Sequence, residues 1–195
     1  MSARIPEPQP VTLKAEEVAL VIVDMQNDFC KKEGKLYVGE SCDKAIPKIA
    51  ELLKVAREKK IPVVYTQDWH QPGDPEFELW GQHTVAGTWG AEVVDELKPV
   101  EGDVCVKKQT YDAFYKTDME QVLEKLGRKT LIVTGTVSNI CVMHMVAGAS
   151  LRGYKTVVPV DCIAALDDYG QEVALFQMAN LYRSVITRSD LIKIE

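Results

Sequence analysis

Val18 to Val23 reads VALVIV, six consecutive apolar residues between Glu17 and Asp24. A strand with one wet face would alternate, and a helix would space its apolar residues three or four apart, so this run fits a strand covered on both faces. A different period follows. From Asp43 to Lys60, the residues Ile46, Ile49, Leu52, Leu53 and Ala56 share one helical face while Lys and Glu occupy the other. The pair then recurs along the chain. Further strands are predicted at Pro62 to Thr66, Val104 to Lys107, Leu131 to Thr134, Thr156 to Val160 (weakened by Pro159) and Ser184 to Thr187. Helices are predicted from Met119 to Leu126, opened by a Thr117 to Glu120 capping box and stopped by Gly127, from about Asn139 to Arg152, and from Asp168 to Arg183. Six strands alternating with helices, without hairpin signals, predict an α/β fold with a parallel sheet and right-handed crossovers.

With 195 residues, 46% hydrophobic, and no linker, repeat or low-complexity tract, the chain reads as one domain over residues 1–195. A net charge of −6 without a basic run argues against nucleic acid or anionic lipid as partners. The five cysteines are scattered and lack a C-x-x-C pair, so neither a disulfide framework nor a zinc knuckle is predicted. The segment MSARIPEPQPVTLKAEE has no apolar h-region, which points away from a secretory signal and toward the cytoplasm. Thr130 to Leu151 has no formal charge with His144 neutral, yet its Thr, Ser, Asn and His residues fit a strand plus a helix better than a membrane span.

In open parallel sheets ligands bind beyond the carboxyl ends of the strands. Asp24 ends the first strand, Asp68 and His70 follow the second, Lys108 ends the third, and Cys141 follows the fourth across a turn. Each alone has a bland reading: a capping carboxylate, a surface lysine, a buried apolar cysteine. At a helix start, Cys141 would gain a lowered thiol pKa and nearby N–H donors. Alternation puts Lys107 and Lys108 on opposite faces, so only one can point at a site. Between Gln67 and Gly90 lies a long segment without sustained period, whose three tryptophans argue against disorder. It carries two of the chain's three histidines, His70 and His83, with Asp68, Asp74, Glu76 and Glu78. Imidazole with carboxylate suits zinc, iron or manganese. His144 reads as a packed or helix-surface residue, and Cys30, Cys42, Cys105 and Cys162 as residues without a role.

Three segments, VDMQNDF (Val23 to Phe29), KQTYDAF (Lys108 to Phe114) and GTVSNICV (Gly135 to Val142), resemble the Asp, Lys and Cys motifs of the isochorismatase-like cysteine hydrolases, in the same order. The loop from Asp68 to His83 resembles the metal-binding loop of the nicotinamidase/pyrazinamidase branch. The resemblance implies a three-layer α/β/α fold with a six-stranded parallel sheet in the order 3-2-1-4-5-6. It also implies a catalytic trio of Asp24, Lys108 and Cys141, with oxyanion donors at the backbone N–H groups of Val137 and Cys141, Val137 following a cis peptide after Thr136. Asp68, His70 and His83 would hold one divalent metal ion, zinc first, with manganese or iron as alternatives and no organic cofactor. The fourth position falls on Glu76, with Asp74 as its substitute. Phe29, Trp80 and Tyr111 would flank a pyridine ring. Asn139 departs from the acidic residue often found two before the cysteine, though its side chain can still bond backbone donors.

The activity so implied is hydrolysis of nicotinamide to nicotinate and ammonia through a cysteine thioester, with pyrazinamide also accepted. A homo-oligomer is compatible with the Trp-rich loop and the C-terminal helix. Alternatives are another amide or a vinyl ether as substrate, a non-catalytic ligand-binding α/β module, and a redox sensor at Cys141. No G-x-G-x-x-G or P-loop follows the first strand, which weighs against nucleotide binding.

Overall fold

The computed structural model describes residues 4–195, so the first three residues of the segment read for a leader lie outside it. Among the described residues nine strands form: β1 (Val11–Leu13), β2 (Val18–Val23), β3 (Val63–Asp68), β4 (Val104–Lys108), β5 (Thr130–Thr136), β6 (Lys155–Pro159), β7 (Ile163–Ala164), β8 (Val185–Thr187) and β9 (Ile192–Ile194). The central sheet runs β4-β3-β2-β5-β6-β8, every pair parallel, which is the expected 3-2-1-4-5-6 order of the six main strands. Two features go beyond the sequence reading. After Pro159 a short 3-10 turn leads into β7, which pairs with Gly135 and Thr136 where β6 has left β5. Near the chain ends, β1 and β9 form a second, two-stranded parallel sheet.

Among the described residues six α-helices accompany the strands: α1 (Asn27–Cys30), α2 (Glu40–Glu58), α3 (Phe77–Trp80), α4 (Met119–Leu126), α5 (Met143–Leu151) and α6 (Asp168–Asn180). Boundaries differ from the periodic pattern where side chains act locally. Asp167 caps α6 by accepting the Gly170 N–H at 2.6 Å, and α6 stops at Asn180 rather than Arg183. At α4 the expected capping box does not close: Asp118 is the N-cap, and Thr117 Oγ1 accepts the Met119 N–H at 3.2 Å. Gly127 ends α4 as expected, in the left-handed region. The helix predicted from Asn139 instead begins as a π-turn over Ser138–Val142 before α5.

Alternate residues of β2 serve opposite layers, which is why the run had to be apolar throughout. Val18, Leu20 and Ile22 pack with Ile49 and Leu53 of α2, while Ala19, Val21 and Val23 pack with Met119, Leu123, Met145 and Met178. Gly135 sits opposite Val23 with φ +114°, and a Cβ there would lie 2.0 Å from the Val23 carbonyl oxygen. Only glycine lets β5 approach β2 at the point where the candidate site begins. Among the described residues, no helix is long and apolar enough to cross a membrane.

Candidate active site

Three strand ends deliver charge to one buried spot. Asp24, the residue after β2, is held with φ +49°, and its Oδ1 accepts the Thr66 hydroxyl at 2.6 Å. Lys108 closes β4 with its side chain fully buried; Nζ lies 2.7 Å from Asp24 Oδ2, bonds Asp68 Oδ1, and lies 3.6 Å from Cys141 Sγ. Its neighbour Lys107 turns outward over the Trp69 ring, 3.6 Å from the centroid, as alternation requires. Asp24, Asp68 and Cys141 each offer a ligand-type atom, all within 4.8 Å of one another.

Burial governs the protonation of this group. It disfavours the Lys108 ammonium, but the Asp24 and Asp68 carboxylates outweigh it and hold Lys108 well above its ordinary range. Burial and the repulsion of Asp24 push Asp68 up to about 7 against the pull of Lys108. The Cys141 thiol is also pushed up, by burial and the two carboxylates. The helix-start argument predicts a lowered thiol; desolvation wins, because Cys141 is 6% exposed and faces two acids against one ammonium.

Beside this trio lies a second cluster. Asp68, His70 and His83 bring ligand atoms within 4.8 Å of one another. His70 is fully buried; its Nδ1 pairs with Asp74 Oδ2 at 3.0 Å, and its Nε2 has no protein partner. His83 Nδ1 donates to the Gly81 carbonyl at 2.8 Å, which leaves Nε2 free, 4.0 Å from Glu76 Oε1. Both rings are thus anchored through one nitrogen and open at the other, the arrangement usual for metal-bound histidines. An orphaned buried Nε2 beside a carboxylate and a second imidazole fits a divalent cation. Glu76 stands just outside the tight three. Asp74, the substitute fourth ligand, is instead engaged with the His70 ring and the Glu76 N–H (3.0 Å).

Both clusters open onto a cavity of about 300 Å³ whose lining includes Phe29, Trp80, Tyr111, Val137 and Cys141. Trp80 Nε1 donates to the Tyr111 hydroxyl at 2.7 Å. Phe29 lies 5.7 Å from the His83 ring, centroid to centroid. The Thr136–Val137 peptide is cis, as expected. His144 packs behind the wall, 5.7 Å from the Tyr111 ring, with Nδ1 donating to Ile140 O at 2.7 Å.

Sequence reasoning missed two groups. Lys35, Leu36, Tyr37 and Val38 form a further wall, with no local signal to place them there. The polar run Gln26-Asn27-Asp28 is buried, although its composition reads as a wet loop. Gln26 grips the Asp68 backbone from both sides, Nε2 to O and N to Oε1, each 2.8 Å, and also donates to Ala91 O. Asn27 donates to Trp89 O at 2.8 Å. Asp28 accepts from Lys35 N (3.0 Å) and Thr84 N (2.7 Å), with Gly90 so close that a Cβ there would meet its carboxylate at 2.2 Å. The signal available was the clustering of three amide and acid side chains directly behind a strand end, where loop backbone needs partners.

A doubly wound parallel sheet with a thiol, an ammonium and two carboxylates at its carboxyl rim defines a class of α/β enzyme built around a buried cysteine. The isochorismatase domain model matches residues 18–190, and the chain belongs to that family of hydrolases. A ureidoacrylate amidohydrolase of Rhizobium rhizogenes is 31% identical, over 94% of this chain and 85% of the relative. Among solved structures, a nicotinamidase from Bacillus subtilis superposes with a TM-score of 0.83 at 28% identity, over 88% of this chain and 99% of that one. A pyrazinamidase of Pyrococcus horikoshii in complex with zinc gives 0.78 at 31%, over 92% and 98%.

Proposed function

We propose that this chain is a nicotinamidase that hydrolyses nicotinamide to nicotinate and ammonia, with a divalent ion held by Asp68, His70 and His83 and approached by Glu76. The observation that carries the reading is the orphaned His70 Nε2, grouped within 4.8 Å of ligand atoms of His83 and Asp68, two residues that line a cavity together with Cys141, Trp80 and Tyr111. Bound there, such an ion would supply a Lewis-acidic contact for a ring nitrogen, and Asp68, His70 and His83 would fix where that contact falls. Phe29, Trp80 and Tyr111 set the ring plane. Asp24 accepts the thiol proton as Cys141 Sγ attacks the carboxamide carbon, while Lys108 offsets the charge that would otherwise gather beside Asp24. The N–H groups of Val137 and Cys141 hold the oxyanion, a contribution of about 3–4 kcal/mol per donor in comparable enzymes. Asp24 returns the proton to the departing ammonia, and water attacks the thioester with Asp24 again as base.

A second reading has its own support. Lys35 contributes to the cavity wall, and its ammonium suits a carboxylate on the substrate, as in ureidoacrylate, the compound named in the relative above. Ammonia release from nicotinamide, pyrazinamide and ureidoacrylate, each with and without chelation, separates the two. Chelator-sensitive release from nicotinamide is expected. Release from ureidoacrylate alone overturns the first reading.

A further inference from the structure

We infer that Cys30 and Cys42 form a redox-active dithiol, which hydrogen peroxide closes into a disulfide that fixes one wall of the catalytic cavity. The two sulfurs lie 3.1 Å apart, and both side chains are buried. Among the described residues no other thiol is hydrogen-bonded to a second thiol. Cys30 ends α1 and Cys42 lies in the first turn of α2. The segment between them carries Lys35, Leu36, Tyr37 and Val38, the cavity wall that local sequence does not announce. The pair therefore sits at the neck of a loop whose body faces the substrate space. The loop is already shaped for closure: Leu36 N–H bonds Asp28 O at 3.0 Å, Val38 N–H bonds Phe29 O at 2.9 Å, and the Ser41 hydroxyl bonds Ala165 O at 2.6 Å.

Access favours a small oxidant. A surface depression whose lining includes Cys30, Lys31, Asp43, Ile46 and Glu96 brings solvent up to the Cys30 residue, and the buried position of both thiols excludes a bulky disulfide reagent. In the first step the Cys30 thiolate attacks one peroxide oxygen, the O–O bond breaks, and water leaves with a proton, giving a sulfenic acid. In the second, the Cys42 sulfur attacks the Cys30 sulfur, the S–S bond forms, and the hydroxyl departs as a second water. Two thiols lose two electrons and hydrogen peroxide gains them. Contact with Cys42 and burial raise the Cys30 thiol, so closure is slow at neutral pH and faster in alkali.

The test treats wild-type protein with hydrogen peroxide, then denatures and alkylates it before any reductant is added. Peptide mapping is expected to find Cys30 and Cys42 joined, two hydrogens lighter, with the exposed Cys105 outside the cross-link. In a Cys141→Ala background, where the cavity thiol cannot contribute, oxidation is expected to raise the unfolding midpoint by about 5–10 °C. It should also slow amide exchange across residues 31–41 by about fivefold or more, and dithiothreitol should reverse both effects. Cys30→Ala in that background abolishes the shift. Free, alkylatable Cys30 and Cys42 after peroxide, a sulfinic acid on either without a cross-link, or a cross-link that leaves exchange of residues 31–41 unchanged each overturns the inference.

Discussion

The two sides of the cavity are built by different means. On the thiol side, Asp24 and Lys108 take their places from sheet register: each sits at the end of a strand whose neighbours are fixed over four or more residues. On the side of the proposed ion, here called the ion side, His70 and His83 lie in irregular chain; Gln26 holds the end of β3 that leads into it, and side-chain-to-backbone bonds from Asn27 and Asp28 hold the chain beyond. Position by register is inherited from the core, whereas position by hydrogen bond must be supplied bond by bond. The ion side should therefore be the more easily loosened by single substitutions that spare the fold, and the thiol side the more costly to disturb.

The sharpest division would come from Cys141→Ala. Turnover is expected to fall by about 10⁵-fold or more, with metal content unchanged by elemental analysis and ligand still bound in calorimetry. Retained turnover would sink the nucleophile assignment. Lys108→Ala should cost about 10³-fold in kcat/KM and about 3 kcal/mol in a urea titration, because Asp24 and Asp68 would then face each other without the ammonium between them. Unchanged stability would mean the buried charges are balanced from the ion side alone. Asp74→Asn removes the charged partner of the His70 ring and is expected to weaken zinc binding 10–100-fold in a competition assay, while kcat at saturating zinc stays within about twofold. Gln26→Leu should lower zinc affinity about tenfold and stability by about 2–3 kcal/mol, since it strips bonds from both polar groups of the Asp68 backbone. Were it to reduce kcat as strongly as Lys108→Ala, the contrast between the two sides would not hold.

How far the sequence could be read follows the same division. The unbroken apolar run marks β2, and the periods around it mark the strand ends where Asp24 and the Lys107–Lys108 pair fall; the choice of Lys108 rests on the family resemblance. Residue types and the resemblance to a known loop marked Asp68, His70 and His83. The grip of Gln26 on Asp68 spans 42 residues of chain and depends on how two loops meet, which no local period encodes. The same holds for the wall from Lys35 to Val38, for the pairing of β1 with β9, and for the burial that raises the Cys141 thiol rather than lowering it. The sequence predicts ordinary helix from about Asn139, because over five residues a π turn leaves no period that tells it from an α turn.

One carboxylate, Asp68, belongs to both neighbourhoods: it bonds the Lys108 ammonium and stands among the ligand atoms of His70 and His83. A group with two clients makes them interdependent. By thermodynamic reciprocity, any change at Lys108 that alters how firmly an ion is held must be mirrored, by the same factor, in how that ion alters the free energy at Lys108. Occupancy on one flank and charge balance on the other are, through this residue, a single adjustable quantity.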